Sequence, residues 1–390
     1  MRRLKVLHLI TTLPRLSGAA DNTRYTVNLL DGSRYDVHLA CGPAELDTSA
    51  VKAHVRVIVV ARLVRPVALA SDVRALGKLC SLFRRERYDI VHTHNAKAGV
   101  LGRVAAKLTG VPLVVHTAHS ISFAASTSSV TNWVYRVADW ACAPLCDKII
   151  TVSKLNTATY LDAGIGRAEQ YVTIYSGVET AKYLNRSQRA ACRDELGIGV
   201  RDQLVAWIGR LNRQKDPVTF VRAAKLLSTR FPQMRFVMVG EDPLRESLEQ
   251  EVREEVDHLH LESSVRLLGY RADVDRILAA ADLVMHTSLY EGLGRSVIEA
   301  MLAGTPLVAT AVDGVREAVV SGERGGILVP PKNPEALAEA AARLLADPRL
   351  AAQLAKAGQS WARQRFEVQE MVTSIDQLYQ GLWRNRLPRQ

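Results

Sequence analysis

Short apolar runs, rich in β-branched residues, recur along the chain, and most are followed by a stretch whose apolar positions repeat at helical spacing. In the first half such runs lie near residues 5–10, 36–41, 55–60, 89–93, 113–118, 148–153 and 172–176. In the second half they lie near 204–209, 235–240, 265–268, 283–287, 307–311 and 327–329. Each reads as a strand buried on both faces, because the runs are continuously apolar instead of alternating. Stretches such as 217–229 and 243–258 read as the intervening helices, and beyond Ala340 the pattern is helical to the end, with a last amphipathic stretch over 368–383. Alternation repeated in both halves predicts an α/β protein of two facing Rossmann-like parallel-sheet domains with an interdomain cleft. The polar, arginine-rich change of texture at 181–201 reads as a linker between domains at 1–180 and 202–366.

The most informative segment is Tyr290-Glu291-Gly292-Leu293-Gly294-Arg295-Ser296-Val297-Ile298-Glu299. A strand (281–288) precedes it, and a helix (296–304) follows, closing on Gly304 before Pro306. A strand, a glycine turn and a helix start aim the N–H groups of Gly292, Leu293 and Gly294 and a positive helix end at one point, where an anion can sit. Glu291 and Glu299 flank that point and can accept hydrogen bonds from hydroxyls on either side. A diphosphate between two polyols is a nucleotide-sugar.

Three further places carry candidate chemistry. In 207–217 a strand ends at Gly209, and Arg210 and Lys215 follow before a helix opened by an Asp216 cap and Pro217; both cations suit phosphate oxygens. The first strand–helix turn carries Gly18, which permits close approach of a ligand to the backbone. His94 and His119 each fall just past a strand, at the carboxyl end of the sheet, where an imidazole can donate to hydroxyls or move protons. No third ligand with metal-site spacing accompanies them, so no metal is expected there. Asp273-Val274-Asp275 resembles a metal-binding D-x-D but sits where an aspartate caps a helix, and is read as a cap.

Charge adds a partner. The net charge is +11, and residues 1–200 hold 26 basic against 15 acidic side chains, while the second half is neutral. The excess concentrates in nine basic residues between Lys52 and Arg87, which points to an anionic membrane surface or a lipid diphosphate. Little aromatic interleaving and no binding module argue against nucleic acid. The apolar run Val6–Ile10 is too short for a signal peptide, no stretch is long and apolar enough to span a bilayer, and five cysteines without pairing fit a reducing cytoplasm; with the basic first half, the expectation is a peripheral place at the inner membrane face.

In this order, these motifs resemble those of the retaining family 4 glycosyltransferases of the GT-B fold. Glu291 and Glu299 match the family's E-x(7)-E pattern, and Gly209, Arg210 and Lys215 its GR-x(4)-K element; 89–119 is similar to its acceptor-side signature. The resemblance implies transfer of a hexose from a nucleotide diphosphate sugar to a glycan acceptor, lipid-linked given the basic first half, without cofactor or metal. It implies that Arg210 and Lys215 neutralise the leaving diphosphate, Glu291 holds the donor sugar, Glu299 the ribose, and His119 the sugar from the first domain. His94 and Lys97 would lie on the acceptor side, and the final helix (367–390) would return to the first domain. The first loop departs from the family in carrying one glycine, Gly18, where a pair is usual. Two rivals are a sugar-nucleotide epimerase of the same fold and a non-catalytic nucleotide-sugar-binding protein. Lys215→Ala and Glu291→Ala are expected to abolish transfer and leave the fold intact.

Overall fold

A computed structural model describes residues 2–15, 17–124, 128–242 and 247–386. The chain forms two units: Met1–Gly177 with Val368–Gln390, and Val178–Glu367. The first holds a parallel sheet of β1 (Leu4–Ile10), β2 (Tyr35–Cys41), β3 (Arg56–Val59), β4 (Ile90–His94), β5 (Leu113–Ala118), β6 (Lys148–Thr151) and β7 (Tyr171–Thr173), in the order β3-β2-β1-β4-β5-β6-β7. The second holds β8 (Gln203–Ile208), β9 (Met234–Val239), β10 (Val265–Leu267), β11 (Leu283–His286), β12 (Leu307–Thr310) and β13 (Gly326–Val329), in the order β10-β9-β8-β11-β12-β13. Every expected strand is present. The direction of strand order reverses between β1 and β4 in one sheet and between β8 and β11 in the other. In doubly wound sheets that reversal opens a crevice beyond the carboxyl ends of the strands, where ligands bind.

Both sheets are covered on both faces, as their continuous apolar runs require. In the first unit one layer packs Phe83, Tyr88 and Tyr160 against the sheet. The opposite layer is completed by the last helix, Val368–Arg384, whose Val368, Met371, Val372, Ile375 and Tyr379 are buried at helical spacing. Fully burying such a side chain is worth about 1.5–3 kcal/mol, and Asp376 adds an anchor by accepting from Tyr35 (2.6 Å) and Arg34 (2.8 Å). The second unit is cored by Trp207, Phe220 and Phe236.

Three expectations need correction. Residues 181–201 are not a linker: they form helices Thr180–Tyr183 and Arg189–Glu195 within the second unit. Their arginines hold carbonyls left open at helix ends. Arg186 donates to Ala303 and Gly304 oxygens, Arg189 to those of Ala279, Ala280 and Ala281, and Arg193 to that of Ala280, with Asp282 pairing Arg189 and Arg193. The helical end of the chain is broken into Pro334–Ala346, Pro348–Arg365 and Val368–Arg384, since Pro348 cannot continue a helix and Asp347 caps the next by accepting from Arg349 and Leu350 N–H groups. The helix expected over 243–258 is Glu249–His258; residues 243–246 lie outside those described.

Candidate functional site

The loops that follow β8 and β11 are stitched together at the reversal point of the second sheet. Trp207 Nε1 donates to Thr287 Oγ1 (2.9 Å), which donates to the Lys215 carbonyl (2.6 Å). Leu289 N–H donates to the Gln214 carbonyl (2.8 Å), and Gln214 Nε2 to the Tyr290 carbonyl (3.1 Å). These bonds bring the Lys215 ammonium onto Glu291 Oε1 as a direct ion pair, with both side chains mostly buried. Ser288 Oγ donates to the same oxygen (2.8 Å), and His286 Nε2 lies 3.3 Å from it. Glu291 Oε2 makes no hydrogen bond among the described residues. Arg210 is steered by Gln214, whose Oε1 accepts from its guanidinium at 3.1 Å.

Electrostatics decides the state of the cluster. Burial alone would raise the Glu291 carboxyl, but the Lys215 charge and the His286 hydrogen bond outweigh it and hold the group well below the usual carboxylate range. Burial lowers His286, against the pull of Glu291. The centre is therefore an ionised carboxylate against an ammonium, beside a neutral imidazole. Asp313, beyond β12, accepts the Glu291 N–H at 2.9 Å; burial pushes its carboxyl up.

The turn itself demands glycine. Gly294 has φ +79° and precedes the helix Arg295–Leu302. A Cβ on Gly314 would stand 2.0 Å from the Gly292 carbonyl oxygen, so the loop after β12 packs directly on this turn. Leu293 is buried beneath it. Glu299 lies one turn into the helix and accepts from Arg295 Nε at 2.8 Å. In the first turn of that helix the buried Ser296 hydroxyl has no hydrogen-bond partner among the described residues.

Other expected residues fare differently. Gly18 opens the helix Gly18–Leu29, and a Cβ there would meet nothing within 4 Å; the fold does not force glycine at this position. Lys97 is engaged by Asp72 (2.5 Å), an ion pair that ties two helices of the first unit together. Asp216 is not a conventional cap: it adopts φ +44° and its carboxylate accepts from Thr219 Oγ1 at 2.7 Å. Asp273 likewise makes no backbone cap; Arg271 (2.7 Å) and Arg276 (3.0 Å) take its carboxylate.

His94 and His119 do come together, Nδ1 to Nε2 at 3.1 Å. The sequence reading found no third histidine for them; the structure supplies His8, from β1, whose Nδ1 lies 3.0 Å from His94 Nε2. The missed signal was parallel pairing, which sets His8 beside His92 across β1 and β4. His286, Ser288, Gln214 and Ser296 were also unassigned, because their parts depend on which loops meet.

Two family models divide the chain between them: "Glycosyltransferase Family 4" matches residues 16–182 and "Glycosyl transferases group 1" residues 188–361. The chain is 29% identical over 330 residues to the UDP-Gal:alpha-D-GlcNAc-diphosphoundecaprenol alpha-1,3-galactosyltransferase of Escherichia coli, covering 84% of each. Among solved structures, HepE of Anabaena in complex with UDP and glucose superposes with a TM-score of 0.84 at 26% identity, over 97% of this chain and all of that one. Sucrose-phosphate synthase of Thermosynechococcus elongatus superposes with a TM-score of 0.86 at 24% identity, over 98% of this chain, and shares the fold.

Proposed function

The chain belongs to the family 4 glycosyltransferases of the GT-B fold, and from that premise we propose that it moves a hexose from a nucleotide diphosphate sugar to a lipid-linked glycan acceptor, with retention of configuration and without a metal. The observation that carries the donor reading is the buried Lys215–Glu291 pair, with Arg210 on the adjoining loop and the Ser296 hydroxyl unpartnered at the helix start. A diphosphate recruits Lys215, Arg210 and the helix N-terminus, and these offset the charge that develops on the leaving group. No divalent ion is needed for that task when two cations converge on it. Glu291 then offers its open Oε2 to a sugar hydroxyl, and Glu299 its second oxygen to the ribose. In this reading Glu291 is not cast as the nucleophile of a covalent intermediate: Lys215, Ser288 and His286 hold its Oε1, and its Oε2 is taken by the sugar hydroxyl. Retention follows a front-face path in which the departing phosphate takes the acceptor proton.

Titrating the protein with UDP and GDP by calorimetry, without added metal, tests the donor site. Micromolar binding of one diphosphate, lost in Arg210→Ala, is expected. Unchanged binding in Arg210→Ala would relocate the site.

The acceptor reading has its own support. No helix among the described residues is long and apolar enough to cross a membrane, yet the helix Ser129–Cys142 exposes Val130, Trp133, Val134, Val137 and Trp140 at helical spacing, the two indoles by 64% and 62%. Tryptophan favours the level of lipid headgroups, and all nine basic side chains between Lys52 and Arg87 are exposed on the same unit. Peripheral binding to an anionic membrane face brings a lipid-linked acceptor within reach. Flotation with anionic and with neutral liposomes checks it: preference for anionic vesicles that fades with salt is expected, and equal binding or none refutes it.

A further inference from the structure

Four imidazoles and a phenol in the first unit form one unbroken hydrogen-bonded chain. His119 Nε2 lies 3.1 Å from His94 Nδ1, and His94 Nε2 lies 3.0 Å from His8 Nδ1. His8 Nε2 is 3.4 Å from the Tyr379 hydroxyl, which is 2.5 Å from His92 Nδ1. His92 Nε2 ends the chain 2.6 Å from Thr117 Oγ1. His8, His92 and His94 are fully buried, and each has both ring nitrogens engaged.

A neutral imidazole carries one N–H and one bare nitrogen, so at every step a donor must face an acceptor. Only two arrangements satisfy the whole chain: all four rings protonated on Nδ1, or all four on Nε2. A mixed set would bring two N–H groups or two lone pairs face to face, or leave the Tyr379 hydroxyl without an acceptor, among groups that are fully buried. Thr117 breaks the tie. Its hydroxyl makes no other hydrogen bond among the described residues. With the rings protonated on Nδ1, Thr117 donates to His92 Nε2 and every group is satisfied; with the rings protonated on Nε2, its own proton is stranded.

We propose that this chain fixes His119 as the neutral Nδ1–H tautomer, so that its one unengaged nitrogen is a hydrogen-bond donor to a ligand hydroxyl and not a base. Thr117, His92, Tyr379, His8 and His94 are then positioning residues that act through His119. That the ligand is a donor sugar rests on the function proposed above; the tautomer itself does not. Burial keeps the rings neutral: it lowers His8 to about 3 and His119 to about 4, and His92 and His94 fall well below the ordinary value. A competing use of the same residues is a metal site, since His8, His92 and His94 bring three nitrogens within 4.8 Å of one another. Every nitrogen of those rings already has a partner, so an ion would have to displace bonds that satisfy the chain without it.

Nitrogen NMR of histidine-labelled protein, with signals assigned by single His→Gln replacements, reads the tautomers directly and needs no ligand. In the unliganded protein at neutral pH, His8, His92, His94 and His119 are expected to show a bare Nε2 and a protonated Nδ1. Thr117→Val, a nearly isosteric change with four rings between it and His119, is expected to convert His119 to a mixture of tautomers; Tyr379→Phe is expected to do the same. A purely structural part for Thr117 would lower stability and leave the His119 signature unchanged, which overturns the proposal. So would His119 protonated on Nε2 in the unaltered protein, or one equivalent of zinc retained through dialysis. Failure of UDP and GDP to bind in calorimetry would instead count against the donor site and leave the tautomer result standing.

Discussion

The two sheets reverse direction at equivalent positions, between β1 and β4 and between β8 and β11, yet they fill those positions in opposite ways. The first holds imidazoles and a phenol, all neutral, each hydrogen-bonded to the next. The second holds a lysine against a glutamate that stays ionised under burial. Burial acts on both with the same sign, against charge. The outcome differs because an opposite charge arrives on a neighbouring loop in one case only. Lys215 reaches Glu291 because the loops after β8 and β11 are stitched together; the described rings around His8 have one another and Tyr379, and share protons without gaining charge. A buried network can thus be satisfied by hydrogen bonds alone, whereas a buried ion pair needs its partner exactly opposite or it becomes a liability.

The largest effect should come from removing that partner. Lys215→Met is expected to lower transfer by roughly 10²–10³-fold and, contrary to the expectation that the fold would be untouched, to cost about 3–5 kcal/mol by leaving Glu291 buried and unpaired. Lys215→Met with Glu291→Leu should recover most of the stability and none of the activity. Urea unfolding beside an activity assay separates the two; a double variant no more stable than the single one would show that the pair is not the source of the loss.

Acid should tell the two regions apart next. The folded histidines have lowered values, so below the ordinary value of 6.5 the unfolded chain takes up protons that the folded chain refuses, and stability falls as pH falls. Each such ring contributes up to about 1.4 kcal/mol per pH unit until its folded value, about 4 for His119 and about 3 for His8, is reached. Glu291 has linkage of the same sign but in a lower pH window. Its depressed carboxyl stabilises the fold above the ordinary carboxylate value of 4.5, and that contribution is lost only as pH falls below it. Between pH 6.5 and 4.5 the imidazole chain weakens through several lowered rings and the second cluster through His286, while the Glu291 contribution is still in place. Urea midpoints near pH 7, 6 and 5 should decline in the unaltered protein and less steeply in His94→Leu.

His94→Leu tests the chain at its middle. It strips a partner from His8 and another from His119, and should cost about 1–3 kcal/mol while leaving nucleotide affinity unchanged, since Arg210, Lys215 and Glu291 belong to the other unit. Lost UDP or GDP affinity in this variant would mean that the two regions are not independent.

What could be read from residue order, and what could not, divides along the same line. Strands and the glycine turn were legible because they depend on local pattern: a run such as 283–287 is apolar throughout, and Gly294 is followed by helical spacing. Glu291, Arg210 and Lys215 were legible as a motif. Their mutual geometry was not, since the Lys215–Glu291 pair spans 76 positions and depends on Thr287 and Gln214 joining two loops. His8 was missed for the same reason, being brought to His94 by sheet order. Arg186, Arg189 and Arg193 misled because arginine-rich texture looks like an exposed tether, whereas guanidinium groups also serve open carbonyls at helix ends.

Lys97 gives the smallest and most pointed test. It stands three residues beyond His94 and shares its segment, so a motif assigns both to one task. The structure separates them: His94 is a fully buried link in the imidazole chain, while Lys97 reaches Asp72 (2.5 Å) and the Pro66 carbonyl (2.5 Å). The two side chains are only 11% and 15% exposed, so losing Lys97 takes a partner from a sheltered Asp72 at a cost of about 1–3 kcal/mol. Lys97→Met should therefore lower the urea midpoint modestly, leave the His119 tautomer signature intact, and leave the KM for acceptor unchanged. Were the acceptor KM to rise severalfold with the midpoint held, Lys97 would trade Asp72 for an anionic acceptor during turnover, and the first unit would have a cationic contact of its own to set beside Lys215.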